Sequence, residues 1–147
     1  MNDSKVYLVQ TDTTVGFLSV DDKKLSSIKQ RDTNQKTLQV VDSFKTLQKY
    51  TRIPKSMKKR VRYSKLTTFI YPNQLSFRVV DKNSLHYNFI KKFNCLYSTS
   101  ANITKQDYDE DFAFSNSDII LFNKNKFSQN ISSKIYKINN HKIKKLR

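Results

Sequence analysis

The chain has 147 residues, with 28 Lys and Arg against 12 Asp and Glu and a net charge of +16. A length of this size suits one domain, residues 1–147, burying roughly 68–70% of its unfolded surface. Hydrophobic residues are only 37%, yet ten Phe and eight Tyr each remove a large area from water, which excludes a disordered chain.

Val6 to Val9 reads as a first buried strand, followed by a polar turn, Gln10 to Thr14, that returns to apolar residues at Val15 and Phe17. Gly16 is the only glycine, so a P-loop and a Rossmann fingerprint are both excluded. Positive φ or a close backbone approach explains a glycine there. Asp21 and Asp22 precede a short helix, Lys23 to Gln30, with Leu25 and Ile28 inward. Lys29 and Arg31 fall at its C-terminal end, where cations are favourable without any ligand.

Thr37 to Val41 reads as a strand, and Ser43 caps a helix with Phe44 and Leu47 on one face. Arg52 to Tyr63 is the densest basic run, either a solvated helix face or an RNA contact. Lys65 to Tyr71 and Leu75 to Val80, divided by Pro72-Asn73-Gln74, spell an antiparallel hairpin. Asp81 to Phe93 is predicted as a helix with Leu85, Phe89, Ile90 and Phe93 in the core.

Cys95 to Tyr97 forms the next strand, and its lone thiol can make neither an internal disulfide nor a cysteine-based zinc site. His86 and His141 stand apart without metal-ligand spacing. Ser98 to Asn102 then places hydroxyls and an amide at a strand's carboxyl end, where open α/β sheets bind ligands. Four carboxylates between Asp107 and Asp111 read as a solvated helix start, not a metal loop. Ile119 to Phe122 is expected as a buried strand, and Ile135 to Ile138 with a basic end close the chain. Strands alternating with helices, plus one hairpin, give a mixed-sheet α/β layer fold. No apolar run approaches ~18 residues and the N-terminus lacks an apolar leader, so a soluble, cytoplasmic chain without a membrane partner is expected. The net charge attracts polyanions, although a chain rich in Lys, Asn, Ile and Phe also reflects AT-rich coding.

In order and spacing, these pieces resemble the YrdC-like family of threonylcarbamoyl-AMP synthases. The family's "PT(D/E)TVYGL" opening is similar to Gln10 to Leu18, QTDTTVGFL, and its KxR motif to Lys29-Gln30-Arg31. The threonine of "PGPxT" falls on Thr67, and "vRvP" on Phe77-Arg78-Val79-Val80 without the proline. "STSAN" stands intact as Ser98 to Asn102, and the terminal "ST(I/V)…LR" pair resembles Ser133 to Ile135 and Leu146-Arg147. The prolines of the family's segment after KxR are gone, and Val40 takes the position of its threonine-holding histidine. A one-residue shift there puts Lys36 in the second basic position.

The resemblance implies an open, twisted, mixed parallel and antiparallel sheet with flanking helices and a concave basic cavity. It implies synthesis of threonylcarbamoyl-AMP and pyrophosphate from ATP, L-threonine and bicarbonate, feeding the tRNA threonylcarbamoyl-transferase machinery downstream. Mg²⁺ is expected with ATP, held by phosphates and water rather than by protein ligands. Lys29 and Arg31 would hold the triphosphate as the catalytic cations, with Ser100 and Asn102 on phosphate oxygens. Thr13, Arg78, Ser98 and Ser133 would face the threonine, Arg78 pairing its carboxylate. Gln35, Thr67 and Arg147 would lie nearer the nucleotide. A non-catalytic alternative on the same fold is an RNA-binding or ribosome-maturation protein that holds tRNA or rRNA by shape and phosphate contacts.

Overall fold

A computed structural model describes residues 4–32 and 34–147. Its strands are β1 (Tyr7–Gln10), β2 (Val15–Ser19), β3 (Gln39–Val41), β4 (Thr67–Ile70), β5 (Ser76–Val79), β6 (Cys95–Ser100), β7 (Ile119–Ile120), β8 (Lys134–Ile138) and β9 (Ile143–Lys145). The helices are α1 (Asp22–Ile28), α2 (Phe44–Tyr50), α3 (Lys58–Tyr63), α4 (Leu85–Ile90) and α5 (Glu110–Ser115), with a 3-10 turn at Lys55–Met57 leading into α3. Among the described residues the strands form one open sheet in the order β7-β1-β2-β6-β3-β5-β4-β8-β9. Three neighbouring pairs are parallel, β1 with β7, β3 with β5 and β4 with β8, and the others run antiparallel. The mixed α/β sheet with flanking helices expected from the sequence is therefore the fold.

Side chains on a strand alternate between the two faces of a sheet, so the register assigns every residue to a layer. One face carries Leu8 opposite Phe17 and Phe69 opposite Phe77. Leu25 of α1 and Ala113 of α5 pack on its first half, Leu47 of α2 and Val61 of α3 on its second. The other face carries Tyr7, Val9, Leu18, Val40 and Leu96, covered by Ile90 of α4. Continuing along that second face, Val40 stands opposite Arg78, Arg78 opposite Thr68, and Thr68 opposite Ile135. No apolar cluster closes over these last positions among the described residues, and the polar side chains there become the wall of a cavity.

Local chemistry accounts for the elements. Asp21 caps α1 by accepting from the N–H groups of Lys23 and Lys24, and Ser43 caps α2 through the N–H of Thr46. The turn between β1 and β2 is held by Thr11, whose hydroxyl accepts the N–H groups of Thr13 and Thr14 and donates to the carbonyl of Thr14. β2 itself goes beyond the sequence reading. All five of its residues are buried, so it lacks the polar alternation by which a strand is recognised. Gly16 has negative φ; a Cβ there would come within 3.0 Å of the Thr99 carbonyl across the β2–β6 pair, so close approach is what the glycine serves.

Two elements differ from expectation. The helix predicted over Asp81 to Phe93 begins only at Leu85, because Ser84 caps it and a turn from Asp81 accepts the N–H of Ser84. The inward stripe is consequently His86, Phe89, Ile90 and Phe93, while Leu85 is 74% exposed. Ile119 to Phe122 is not a buried strand. β7 is a two-residue edge strand, and Phe122 beyond it is 73% exposed. No helix among the described residues is long and apolar enough to cross a membrane.

His86 is buried with neither ring nitrogen hydrogen-bonded among the described residues, and burial followed by the Arg78 charge pushes its imidazole down to about 3. Between there and the ordinary value of 6.5 the unfolded chain binds a proton that the folded one refuses. Stability therefore falls as pH drops below 6.5, by up to about 1.4 kcal/mol per pH unit from this group. His86→Leu is expected to flatten that acid slope, measured as urea unfolding free energies between pH 5 and 7.

Candidate active site

Lys29-Gln30-Arg31 forms the C-terminal cap of α1. The N–H of Gln30 donates to Ser27 O at 3.1 Å and that of Arg31 to Ser26 O at 2.9 Å, with Gln30 at φ 52°. These paired bonds with a left-handed residue between them are the Schellman arrangement. The turn sends its two cations in different directions. Lys29 is 5% exposed, and its ammonium donates to Ser100 O at 3.0 Å, to Asn102 Oδ1 at 3.1 Å and to Asn102 O. Burial, and secondarily the charge of Arg31, lowers its pKa to about 8. Arg31 is half-buried; its Nη2 donates to Thr99 Oγ1 at 2.8 Å, and it has no carboxylate ion-pair partner among the described residues. Burial lowers its pKa, against an opposing pull from Asp22.

Arg31 opens onto a cavity of about 640 Å³ on the second face of the sheet. Of the residues singled out in the sequence, Thr13, Arg31, Gln35, Arg78, Ser98, Ser100, Ser133 and Arg147 line it together. They come from stretches more than a hundred residues apart, brought together because β2, β6, β5, β4 and β8 share one sheet. Lys36, Thr68 and Lys105 also contribute, so among the described residues five side-chain cations and no Asp or Glu line the walls. Such a surface holds anions by charge and by short hydroxyl donors.

Three singled-out residues do not line it. Lys29 is spent on the end of β6, as described. Asn102 accepts from Lys29 and donates through Nδ2 to Ile103 O and Gln106 O, lying in an adjoining recess with Tyr108 and Gln129. Thr67 shares the α-helical face with Phe69, and its hydroxyl donates to Lys65 O at 2.7 Å. Thr68, one residue on, faces the cavity, and a one-residue offset on a strand is enough to exchange faces. Val40 lies buried beneath α4, and Leu38 lines the cavity in its stead.

At the far wall, Arg78 is 3% exposed and donates through Nη2 to Asp12 Oδ1 at 3.0 Å. Arg78 Nε and Asp12 Oδ2 are buried with no hydrogen-bond partner among the described residues, so the pair keeps unused hydrogen-bonding capacity. Burial lowers the Arg78 pKa and Asp12 partly restores it. Breaking such a buried pair costs about 3–5 kcal/mol. Asp12 is not among the site residues expected from the sequence, although it sits inside the motif at Gln10 to Leu18. Beside Arg78, the Ser133 hydroxyl lies 2.8 Å from that of Thr68, and Arg147 Nε donates to Ser133 O at 3.0 Å. No group of three metal-ligating side chains occurs among the described residues, and the cavity's donors suit phosphate oxygens better than a bare divalent cation.

No protein-family model and no curated protein sequence matches the chain. Solved structures do. P. abyssi Sua5 carrying H234A and Y235A superposes with a TM-score of 0.80 at 13% identity, over 97% of this chain and 52% of that one. P. abyssi Sua5 complexed with L-threonine gives 0.77 at 14% identity, over 97% and 50%. E. coli YciO gives 0.76 at 11% identity, over 98% and 82%. The chain thus spans about half the length of Sua5, and its fold is the YrdC/Sua5-like one.

Replacing Lys29 by Met leaves the β6-end oxygens without their donor, a loss on the order of 1–3 kcal/mol. In lysine NMR, one side-chain resonance is expected to titrate near pH 8, charged below and neutral above, and to vanish in Lys29→Met.

Proposed function

We propose that the chain is an L-threonylcarbamoyladenylate synthase, a nucleotidyltransferase acting on ATP, L-threonine and bicarbonate. The observation that carries this reading is the convergence of Arg31, Ser100, Thr13 and Arg78 on one basic cavity. Structural likeness to P. abyssi Sua5, solved with L-threonine, supports the amino-acid half of it.

In this reading bicarbonate takes up a proton and loses water to give carbon dioxide, and the neutral threonine amine adds to its carbon, releasing a proton and leaving a carbamate. A carbamate oxygen then attacks the α-phosphorus of ATP, and pyrophosphate leaves with the electron pair of the broken P–O bond. The carbamate and ATP that must meet are both anions, so the chain's contribution is positioning and charge neutralisation. Arg31 presents a planar fork to the phosphates. Lys29 acts from behind: by occupying the carbonyls of Ser100 and Asn102 it removes negative ends that would repel a phosphate. Asn102, likewise turned inward, shapes the end of β6. Ser98, Ser100 and Gln35 supply neutral donors. Arg78 would pair the threonine carboxylate with the capacity that Asp12 leaves free, and Thr13 and Ser133 flank it. Arg147 steadies Ser133 and adds charge toward the nucleotide. Mg²⁺ would travel with ATP, held by its phosphates and water. The product would be consumed by a transferase acting on tRNA.

Pyrophosphate release from ATP is expected only when threonine and bicarbonate are both present. Arg31→Ala should lower it about 10–100-fold, the equivalent of one charge-assisted contact. No release with all three substrates present refutes the synthase.

A further inference from the structure

A second basic concavity lies away from the cavity and shares no lining residue with it. It is a groove of about 600 Å³ between the C-terminal end of α2, the 3-10 turn, the start of α3 and the turn joining β8 to β9. The Ser56 hydroxyl donates to Asn140 O at 3.0 Å, which fixes the β8–β9 turn against the 3-10 turn and shapes one wall. The groove continues past Tyr50 and Arg52 to Pro72 and Asn73 in the β4–β5 turn.

Its electrostatics follow from sequence. Between Ser43 and Val80 there are ten Lys and Arg and not one Asp or Glu. Four of these, Lys49, Arg52, Lys55 and Lys58, line the groove, all exposed and none ion-paired to a carboxylate among the described residues. Four exposed cations along one groove raise the local positive potential, which concentrates and steers a polyanion there. The groove also holds an aromatic ring. Tyr50 packs one side against Phe77, with centroids 6.0 Å apart, yet remains 47% exposed. A ring fixed on one side and open on the other is a platform for an unpaired base.

We propose that this groove binds a single RNA strand, with Lys49, Arg52, Lys55 and Lys58 on successive phosphates and a base stacked on Tyr50. The groove favours RNA over an anionic membrane because its lining exposes no Leu, Ile, Val, Met or Phe to enter lipid, Pro72 at its far end being the one exposed aliphatic ring. Ile53 and Pro54 are buried, and the remaining polar walls are Gln48, Thr51 and Asn140. The site stands independently of the nucleotide reading, because the cavity takes no part in it.

The test is fluorescence anisotropy of a labelled uridine 20-mer titrated with the full chain across a salt series. Each phosphate contact on a single strand contributes about 0.7 to the slope of log affinity against log salt. The combined Arg52→Gln, Lys55→Gln, Lys58→Gln variant should reduce the slope by about 2 and weaken binding about 100-fold at 0.1 M salt. Tyr50→Leu, which keeps an apolar contact with Phe77, should weaken binding about tenfold with the slope unchanged. Arg31→Ala, and saturation with ATP and threonine, should leave RNA affinity as it was. Melting temperatures of the exposed-residue variants separate lost binding from lost folding. Wild-type affinity and slope in the triple variant overturn the proposal. So does displacement of RNA by ATP, or binding of phosphatidylserine vesicles through the same residues with no binding of the oligonucleotide.

Discussion

The ammonium of Lys29 ties the end of α1 to the end of β6, and the character of the cavity depends on that contact. A strand that stops in the open presents carbonyl oxygens, which repel an anion. Here the carbonyls of Ser100 and Asn102 are turned onto a buried cation, and the Lys29 carbonyl in turn accepts from the Thr104 hydroxyl at 3.1 Å. The strand end is thereby neutralised from behind, and what remains toward the cavity is hydroxyl and guanidinium. The C-cap geometry makes this possible, because its left-handed residue separates Lys29 from Arg31 by one reversal of the chain. One cation goes into the structure and the other to the ligand side.

The opposite wall is built on a different principle. Arg78 is charged, almost wholly buried and matched by a single carboxylate oxygen of Asp12. Burying both members of an ion pair is costly unless their other polar atoms are satisfied, and here two are not. Unfilled capacity of this kind suits a place that accepts a ligand, since a fully satisfied pair offers it nothing. The charge also reaches His86 beneath α4 and helps keep that imidazole neutral. Apolar packing under α4 and polar wall above it are thus the two halves of one sheet face.

Glycine scarcity leaves a mark on the backbone. Left-handed conformations are taken by Gln30, Leu66, Gln74, Asn94 and Lys105, while the one glycine serves a close approach instead. Non-glycine residues held there cost on the order of 1–3 kcal/mol each, and the surrounding turns must over-determine them. At Gln30 the two Schellman bonds do so. The composition is rich in Lys and Asn, and the turn at Gln30 still orients the two cations without a glycine. The same composition places charge on the α2–α3 surface, apart from the cavity.

The amino-acid sequence alone determined the alternation of strands and helices, the acidic start of α1, the cap at Ser43, and the β4–β5 hairpin, because each follows from local hydrogen bonding, charge or periodicity. It also held the order of polar clusters that line the cavity. It did not reveal β2, whose two buried faces erase the alternation, or the late start of α4, which a capping serine decides. Only tertiary structure decided that Thr68 rather than Thr67 faces the cavity, that Asn102 turns inward, and that Arg78 meets Asp12. Those outcomes are set by pairing register and by partners far along the chain, Ser133 for Thr68, Lys29 for Asn102 and Asp12 for Arg78. A residue's type carries its chemistry, but the face it occupies belongs to the sheet.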